Sequence, residues 1–474
     1  MRLRAFTAAL SLGVAAVCVA QPRTDGAYRA VDPADWVADV DELIEAIERT
    51  HPDMHRLHDA AQWRLASDEL KRQLPGSTPQ EAVWGFRRLL AMLGDSHTFF
   101  RSPPDVLPAS YLPILCRVFS DGLYVRTGHR RYERQLFGRR IVAVGGLPIP
   151  ELYDRVRPYI NADNEWAAID QFKSFMRSVS LLRQTGVITD DARGVVLTVE
   201  GDNGSDDVFV EATADVWVTD EWTDVERKDR PQQFNRGLNR NFGFRFLEES
   251  GTLHLVCEKV RDEDDETFAE FVERFLAVLD EKQAAGELSR VLVDVRDNNG
   301  GNGYLWQPLV RGLIQRPEVD RNGRLFVAVS RDTFSAAWLL VAELERTTNA
   351  ILVGEPIPHR PNSFGDPEWI ELRRSGIRVR LSALHWQNSD PRDGRMTIAP
   401  ELLVLESFSS FFDRRDAILE AVIAYESETD LPWHQPNQRW MWKSDEAFRS
   451  RVPDAASLLR GEIGKATLVR RLLP

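Results

Sequence analysis

From Trp36 to Leu93 the apolar residues recur every three or four positions: Trp36, Val40, Leu43, Ile44 and Ile47, then Trp63, Leu65, Leu70 and Leu74, then Val83, Phe86, Leu89, Leu90 and Leu93. That spacing places each set on one helical face and predicts three helices. Proline supplies the breaks at Pro52, Pro75 and Pro79, because it lacks an N–H and its ring clashes with the preceding turn. From about residue 112 to 198 the period changes. Strand patterns at 123–126 and 141–144 alternate with turns at Asp121-Gly122 and Gly145-Gly146, which predicts a small β-rich domain. Residues 195–199, 208–210 and 243–246 extend the β character, and 202–207 reads as a polar turn. Beyond Thr252, strands (252–257, 291–295, 325–329) alternate with helices (267–282, 305–314, 336–347), so an α/β core with parallel pairing is expected. The charged run 261–266 reads as a solvated loop, and the Trp- and Pro-rich tail after Glu428 is expected to dock on the core.

Length and composition narrow the class. At 474 residues the chain has room for two to four domains, and 43% hydrophobic with 28% charged residues is an ordinary globular balance. With 60 Lys and Arg against 73 Asp and Glu, the net charge of −13 repels phosphate backbones; no basic patch offsets it, so nucleic acid is not an expected partner. The first twenty residues carry Arg2, Arg4, an apolar run at 5–17, and then Cys18, Val19 and Ala20. This is the pattern of an export signal cut after Ala20, which leaves a periplasmic or secreted chain. The run is too short for a membrane span, which needs about 20 apolar residues, and no later stretch supplies one. Cys116 and Cys257 remain, either as one disulfide or as two buried thiols.

Three segments carry residues able to do chemistry. Ser335, in Thr-Phe-Ser-Ala-Ala between a strand and a helix, presents a hydroxyl where free N–H groups and the helix dipole favour negative charge; a plain N-cap serine fits the same position. Residues 298–303 form a glycine-containing turn at a strand end, where Gly300 and Gly301 let backbone N–H groups approach a reacting carbonyl. His97, in Leu-Gly-Asp-Ser-His-Thr after a helix, is a natural proton acceptor for a hydroxyl. Elsewhere, His51, His55 and His58 straddle a helix break and make a poor metal cluster. His359 and His385 are pocket candidates, and Trp306, Trp338 and Trp386 fit a core or pocket wall.

Together these segments resemble the C-terminal-processing, or tail-specific, serine peptidases, the family that includes the tricorn core protease. Gly94 to Thr98, Asp294 to Gly301 and Thr333 to Ala337 match its three motifs in order, and Gly138 through Gly146 resembles a PDZ module's glycine and Ile-x-x-Ile-x-Gly pattern. The resemblance implies an α/β fold with a crotonase/ClpP-like peptidase core (201–430), an N-terminal helical domain (31–100), a degenerate PDZ-like β-rich domain (110–200) and a C-terminal extension (431–474), after a signal peptide (1–20). It implies an exported serine-type endopeptidase without cofactor or metal, acting on a peptide or protein substrate through an acyl-enzyme; an oligomer stays open.

Many family members use a lysine base a few tens of residues after the serine. Here no lysine lies between Ser335 and Lys443, and arginine cannot replace it as a base. The resemblance to the tricorn-like branch therefore assigns Ser335 as nucleophile, His97 as general base and Ser96 as an orienting residue, with the Ala336 and Gly300 N–H groups as oxyanion hole. The family's acidic member precedes a Pro-Asp element that appears here as Pro400-Glu401, so Asp393, ahead of Asp390, is its candidate; a turn residue is the plain alternative. The rival readings are a non-catalytic ligand- or peptide-binding protein on the same scaffold, and an esterase.

Overall fold

Helices α1 (Pro33–Thr50), α2 (Ala60–Gln73) and α3 (Pro79–Ala91) begin the computed structural model, which describes residues 31–52, 60–101, 106–107, 109–201, 204–214, 222–224, 234, 238–426, 438–464 and 466–472. The expected signal segment, His55 and His58 lie outside the described residues. Proline at the first position and side-chain caps start two of the helices: Asp32 accepts from the Ala34 N–H, and Thr78 and Glu81 cap one another reciprocally. Their apolar stripes, including Trp36, Ile47, Trp63 and Phe86, meet in one buried cluster.

The next region holds β1 (Phe99–Arg101), β2 (Ile114–Phe119), β3 (Gly122–His129), β4 (Ile141–Val144) and β5 (Leu147–Pro148), then helices α4 (Ile149–Val156), α5 (Glu165–Phe175) and α6 (Val179–Gln184), then β6 (Gly194–Gly201), β7 (Gly204–Glu211) and β8 (Trp222–Asp224). Two small sheets result, ordered β2-β3-β8 and β5-β4-β6-β7. The three helices were not expected within this segment, which reads as a small β-rich domain. Asn164 and Ser178 cap α5 and α6, and Ile169, Phe172 and Phe175 fall on a buried face, but each helix is too short for its period to register in the sequence. The polar stretch at 202–207 also differs: β7 already begins at Gly204, and Ser205 to Asp207 are polar because they lie exposed on an edge strand paired residue for residue with β6.

The central sheet has seven strands: β9 (Phe242–Leu247), β10 (Thr252–Cys257), β11 (Arg290–Asp294), β12 (Leu325–Val329), β13 (Ile351–Gly354), β18 (Leu402–Leu405) and β19 (Leu468–Arg471), in the order β19-β18-β13-β12-β11-β10-β9. The five inner strands pair in parallel and the two edges antiparallel. Helices α7 (Phe268–Ala284), α8 (Gln307–Ile314) and α9 (Ala336–Thr347) follow β10, β11 and β12. Side chains alternate across the sheet, so Val291 and Val293 join the cluster of these helices while Leu292 joins Phe326, Val353 and Ile418 on the other face. Burial on both faces explains why the strands read as unbroken apolar runs. Strands β14 (Asn362–Gly365) and β17 (Leu384–Gln387) pair with each other, and β15 (Glu368–Glu371) and β16 (Arg378–Leu381) form a second small sheet with β1, which carries the N-terminal helices to the site. The tail docks as expected: Phe448, Leu458 and Leu459 enter the core of the second region, and β19 extends the central sheet. Cys116 and Cys257 are buried, unbridged thiols, each pushed up to about 12 by burial.

Candidate active site

Parallel strands β11 and β12 end side by side, and the loops leaving their C-terminal ends build the site, where α/β sheets commonly bind ligands. Ser335 forms the last residue of the turn from β12 into α9, with φ 55° and ψ −122°, a backbone conformation that residues with a Cβ avoid. Hydrogen bonds hold it there. Thr333 Oγ1 accepts from the Ser330 N–H at 2.9 Å and donates to the Val295 carbonyl at 2.9 Å, and the Phe334 N–H donates to the Asn298 carbonyl at 2.9 Å. Ser335 occupies the N-cap position of α9, but its side chain makes no capping bond, and among the described residues its half-buried hydroxyl has no hydrogen-bond partner.

Gly300 faces this serine. Its φ of 104° suits glycine, and a Cβ there would come within 2.5 Å of Ser335 Cβ, 3.0 Å of the Ala336 nitrogen and 3.1 Å of Ser335 Oγ. The missing side chain keeps open the space in front of the hydroxyl and the Ala336 N–H, which heads α9 and has no hydrogen-bond partner among the described residues. The Gly300 N–H is engaged, donating to Asn298 Oδ1 at 2.8 Å. Of the two expected oxyanion donors, Ala336 is thus free and Gly300 is held.

Ser96 and His97 arrive on the loop between α3 and β1. Thr98 Oγ1 donates to Asp95 Oδ2 at 2.6 Å and accepts from the Ser382 N–H at 3.1 Å, while the Asn161 side chain accepts from the Asp95 N–H and donates to the Thr98 carbonyl. Burial alone would push the Asp95 carboxyl up, but the hydrogen bond and charge of His51, His97 nearby, and the Thr98 hydroxyl hold it well below the usual carboxylate range. His97 is 6% exposed and lowered to about 4, by burial first and then by His359, against the opposing pull of Asp95 and Asp163.

A second histidine meets the serine directly. His359 lies in the loop between β13 and β14, fully buried against Phe334, Trp338 and His97, with ring centroids 4.4, 4.8 and 5.0 Å away. Its Nε2 accepts from the Ser335 N–H at 3.4 Å, and its Nδ1 donates to Asp163 Oδ2. His97 stacks on His359 at 17° and lies tilted at 33° against Phe334; among the described residues no hydrogen bond joins it to Ser335, and its Nδ1 has no partner.

Asp163 accepts from the Ser96 N–H at 3.0 Å and from Ser363 Oγ at 3.0 Å, and its own N–H donates to Ser96 Oγ at 3.0 Å. The acidic residue at the pocket histidines is therefore Asp163. Asp393 instead pairs with Arg395 at 2.8 Å and Ser389 at 2.6 Å, and Asp390 pairs with Arg392. Sequence reasoning did not single out Asp163. It sits in Asn161-Ala162-Asp163-Asn164, where Asn164 caps α5, so this polar run resembles any helix start. Among the described residues no group of three His, Cys, Asp or Glu is arranged to hold a metal ion; His51 instead faces Asp95 at 3.5 Å.

Fold and site together define an α/β protein with a strained serine at a strand-to-helix turn and an imidazole against it, an arrangement suited to nucleophilic catalysis. No protein-family profile and no curated protein sequence matches the chain. Among solved structures it is similar to mature CPAF, at 12% identity over 82% of this chain and 96% of that one, with a TM-score of 0.56. Mature CPAF complexed with lactacystin is similar at 12% identity over 82% and 99%, with a TM-score of 0.54. A photosystem II D1 C-terminal processing protease aligns at 14% identity over 82% and 96%, but its TM-score of 0.39 is too low to bear weight. At such identity the likeness to CPAF establishes a shared fold. Among the described residues no helix is long and apolar enough to cross a membrane.

Proposed function

We propose that the chain is a serine peptidase resembling the C-terminal-processing family, hydrolysing peptide or protein substrates through an acyl-enzyme on Ser335. One observation carries this reading: Ser335 Oγ is unengaged on a strained turn at the head of α9, with a histidine ring nitrogen 3.4 Å from its own backbone nitrogen. Strain of this kind is worth about 1–3 kcal/mol and persists where the surroundings impose it. The Ala336 N–H heads the oxyanion hole, and Gly300 joins it if its N–H exchanges Asn298 for the substrate oxyanion. The histidine comes from the stacked pair: the motif resemblance assigns the base to His97 with Ser96 orienting, whereas the hydrogen bond to Ser335 belongs to His359.

The same reading makes residues 110–200 a degenerate PDZ-like module, residues 201–430 a crotonase-like core of the tricorn-like branch, and the chain an exported one, cut after Ala20. A biotinylated fluorophosphonate tests it. Wild-type protein is expected to be labelled at Ser335 and to cleave peptides, and Ser335→Ala to lose both while keeping its fold by circular dichroism. Labelling elsewhere, or full cleavage by Ser335→Ala, refutes the reading; turnover of esters without peptides converts it to the esterase.

A further inference from the structure

We propose that His359 is the general base for Ser335 and that Asp163 is the positioning residue that sets its tautomer; this deepens the serine-peptidase reading and rests on it. A carboxylate only accepts hydrogen bonds, so the Nδ1 that meets Asp163 carries the ring proton. The Nε2 lone pair then faces Ser335, whose N–H it already accepts at 3.4 Å. This is the division of labour a serine, histidine and acid arrangement requires, recognised by geometry and not by chain order.

The surroundings lock it. Ser96 and Ser363 fix Asp163, and the Asn164 side chain ties the same loop to the Ile357 and Met396 carbonyls at 3.1 and 2.8 Å. Rings of Phe334, Trp338 and His97 enclose the imidazole. His97 has no such support for its tautomer, since among the described residues its buried Nδ1 has no partner, and none of its hydrogen bonds goes to Ser335. His97 then serves as the wall that keeps His359 in place.

The step balances. Ser335 Oγ attacks the carbonyl carbon as its proton passes to His359 Nε2; the tetrahedral oxyanion collapses, the C–N bond breaks and Nε2 returns the proton to the leaving amine. A water then gives its proton to Nε2, attacks the acyl carbon, and the proton returns to Ser335 Oγ as the acid departs.

Fluorophosphonate labelling kinetics test the assignment without a known substrate. His359→Ala and His359→Gln are expected to slow Ser335 labelling by about 10²-fold or more, with added imidazole restoring part of the rate in His359→Ala but none in Ser335→Ala. Asp163→Asn is expected to slow it on a similar scale and to move the midpoint of the pH–rate curve to lower pH, a shift that a purely structural role does not produce. His97→Ala is expected to slow labelling by less than about tenfold. If the His359 variants label Ser335 near the wild-type rate while His97→Ala loses about 10²-fold or more, the proposal is overturned and the peptidase reading survives with His97 as base. If wild-type Ser335 is never labelled, both fall. Should the His359 variants fail to fold, His97→Ala alone decides: a retained rate supports His359 and a lost one overturns it.

Discussion

Two buried polar clusters lie toward opposite ends of α9, one at Ser335 on its head and one at Glu345 in its last turn, and they are built on opposite plans. In one, Lys443, Arg395 and Arg439 face Glu345, Glu401 and Asp393, three cations against three carboxylates. Lys443, fully buried, contacts Glu345 at 2.7 Å and Glu401 at 2.8 Å, and Arg395 forks onto both Glu345 and Asp393. Burial pushes Glu345 up, but Arg395 and Lys443 outweigh it and hold the carboxyl well below its usual range. In the other, Asp95 and Asp163 face imidazoles and hydroxyls; among the described residues His97 Nδ1 has no partner and Ser335 Oγ makes no capping bond. Permanent charges closed on one another stabilise a docked tail. Titratable groups with unused valence can move a proton. Asp393 belongs to the first plan, Asp163 to the second.

Breaking the ionic cluster should have the larger effect on stability. Lys443→Met leaves Glu345 and Glu401 buried with less compensation and is expected to cost about 3–5 kcal/mol, read from urea unfolding. A loss under about 1 kcal/mol contradicts tight burial of the pair.

Acid should separate the two clusters. The folded pKa of His97, about 4, lies below the ordinary value near 6.5, so its contribution is complete above pH 6.5 and is lost as pH falls toward 4, by about 3 kcal/mol. Glu345 and Asp95 are depressed instead, so their contribution is complete above the ordinary carboxylate values, near 4, and is lost progressively as pH falls below them. Hydrogen exchange between pH 6.5 and 4 should therefore rise first around residues 95–98, and His97→Gln should remove much of the slope; equal loosening around Lys443 argues against this. The smallest effect is sought at Asp393→Asn, expected to cost about 1–3 kcal/mol through its lost pairing with Arg395 while the folded protein labels at Ser335 normally. A labelling loss matching Ser335→Ala returns Asp393 to the site.

Much of this was legible along the chain. Strands β10, β12 and helix α9 fall where the apolar runs and their breaks predict them, because two-sided burial writes itself as unbroken hydrophobic sequence. Ser335, Gly300 and the Ser96-His97 pair were picked out by turn and motif, since each sits near an element boundary. The helices α4 to α6 were not, being about two turns or three in length and embedded among strand-like runs. Asp163 was invisible because an aspartate before a helix cap is commonplace.

What the sequence determined by itself is the serine on its strand-to-helix turn, since turn residues and apolar period are local patterns. Which histidine and which acid meet that serine was decided only in three dimensions. His97, Asp163 and His359 come from three separate loops, and their meeting depends on how the small β1-β16-β15 sheet, the start of α5 and the β13–β14 loop pack against the central sheet. Distances of that kind follow from packing between elements remote in the chain, on which no local pattern reports.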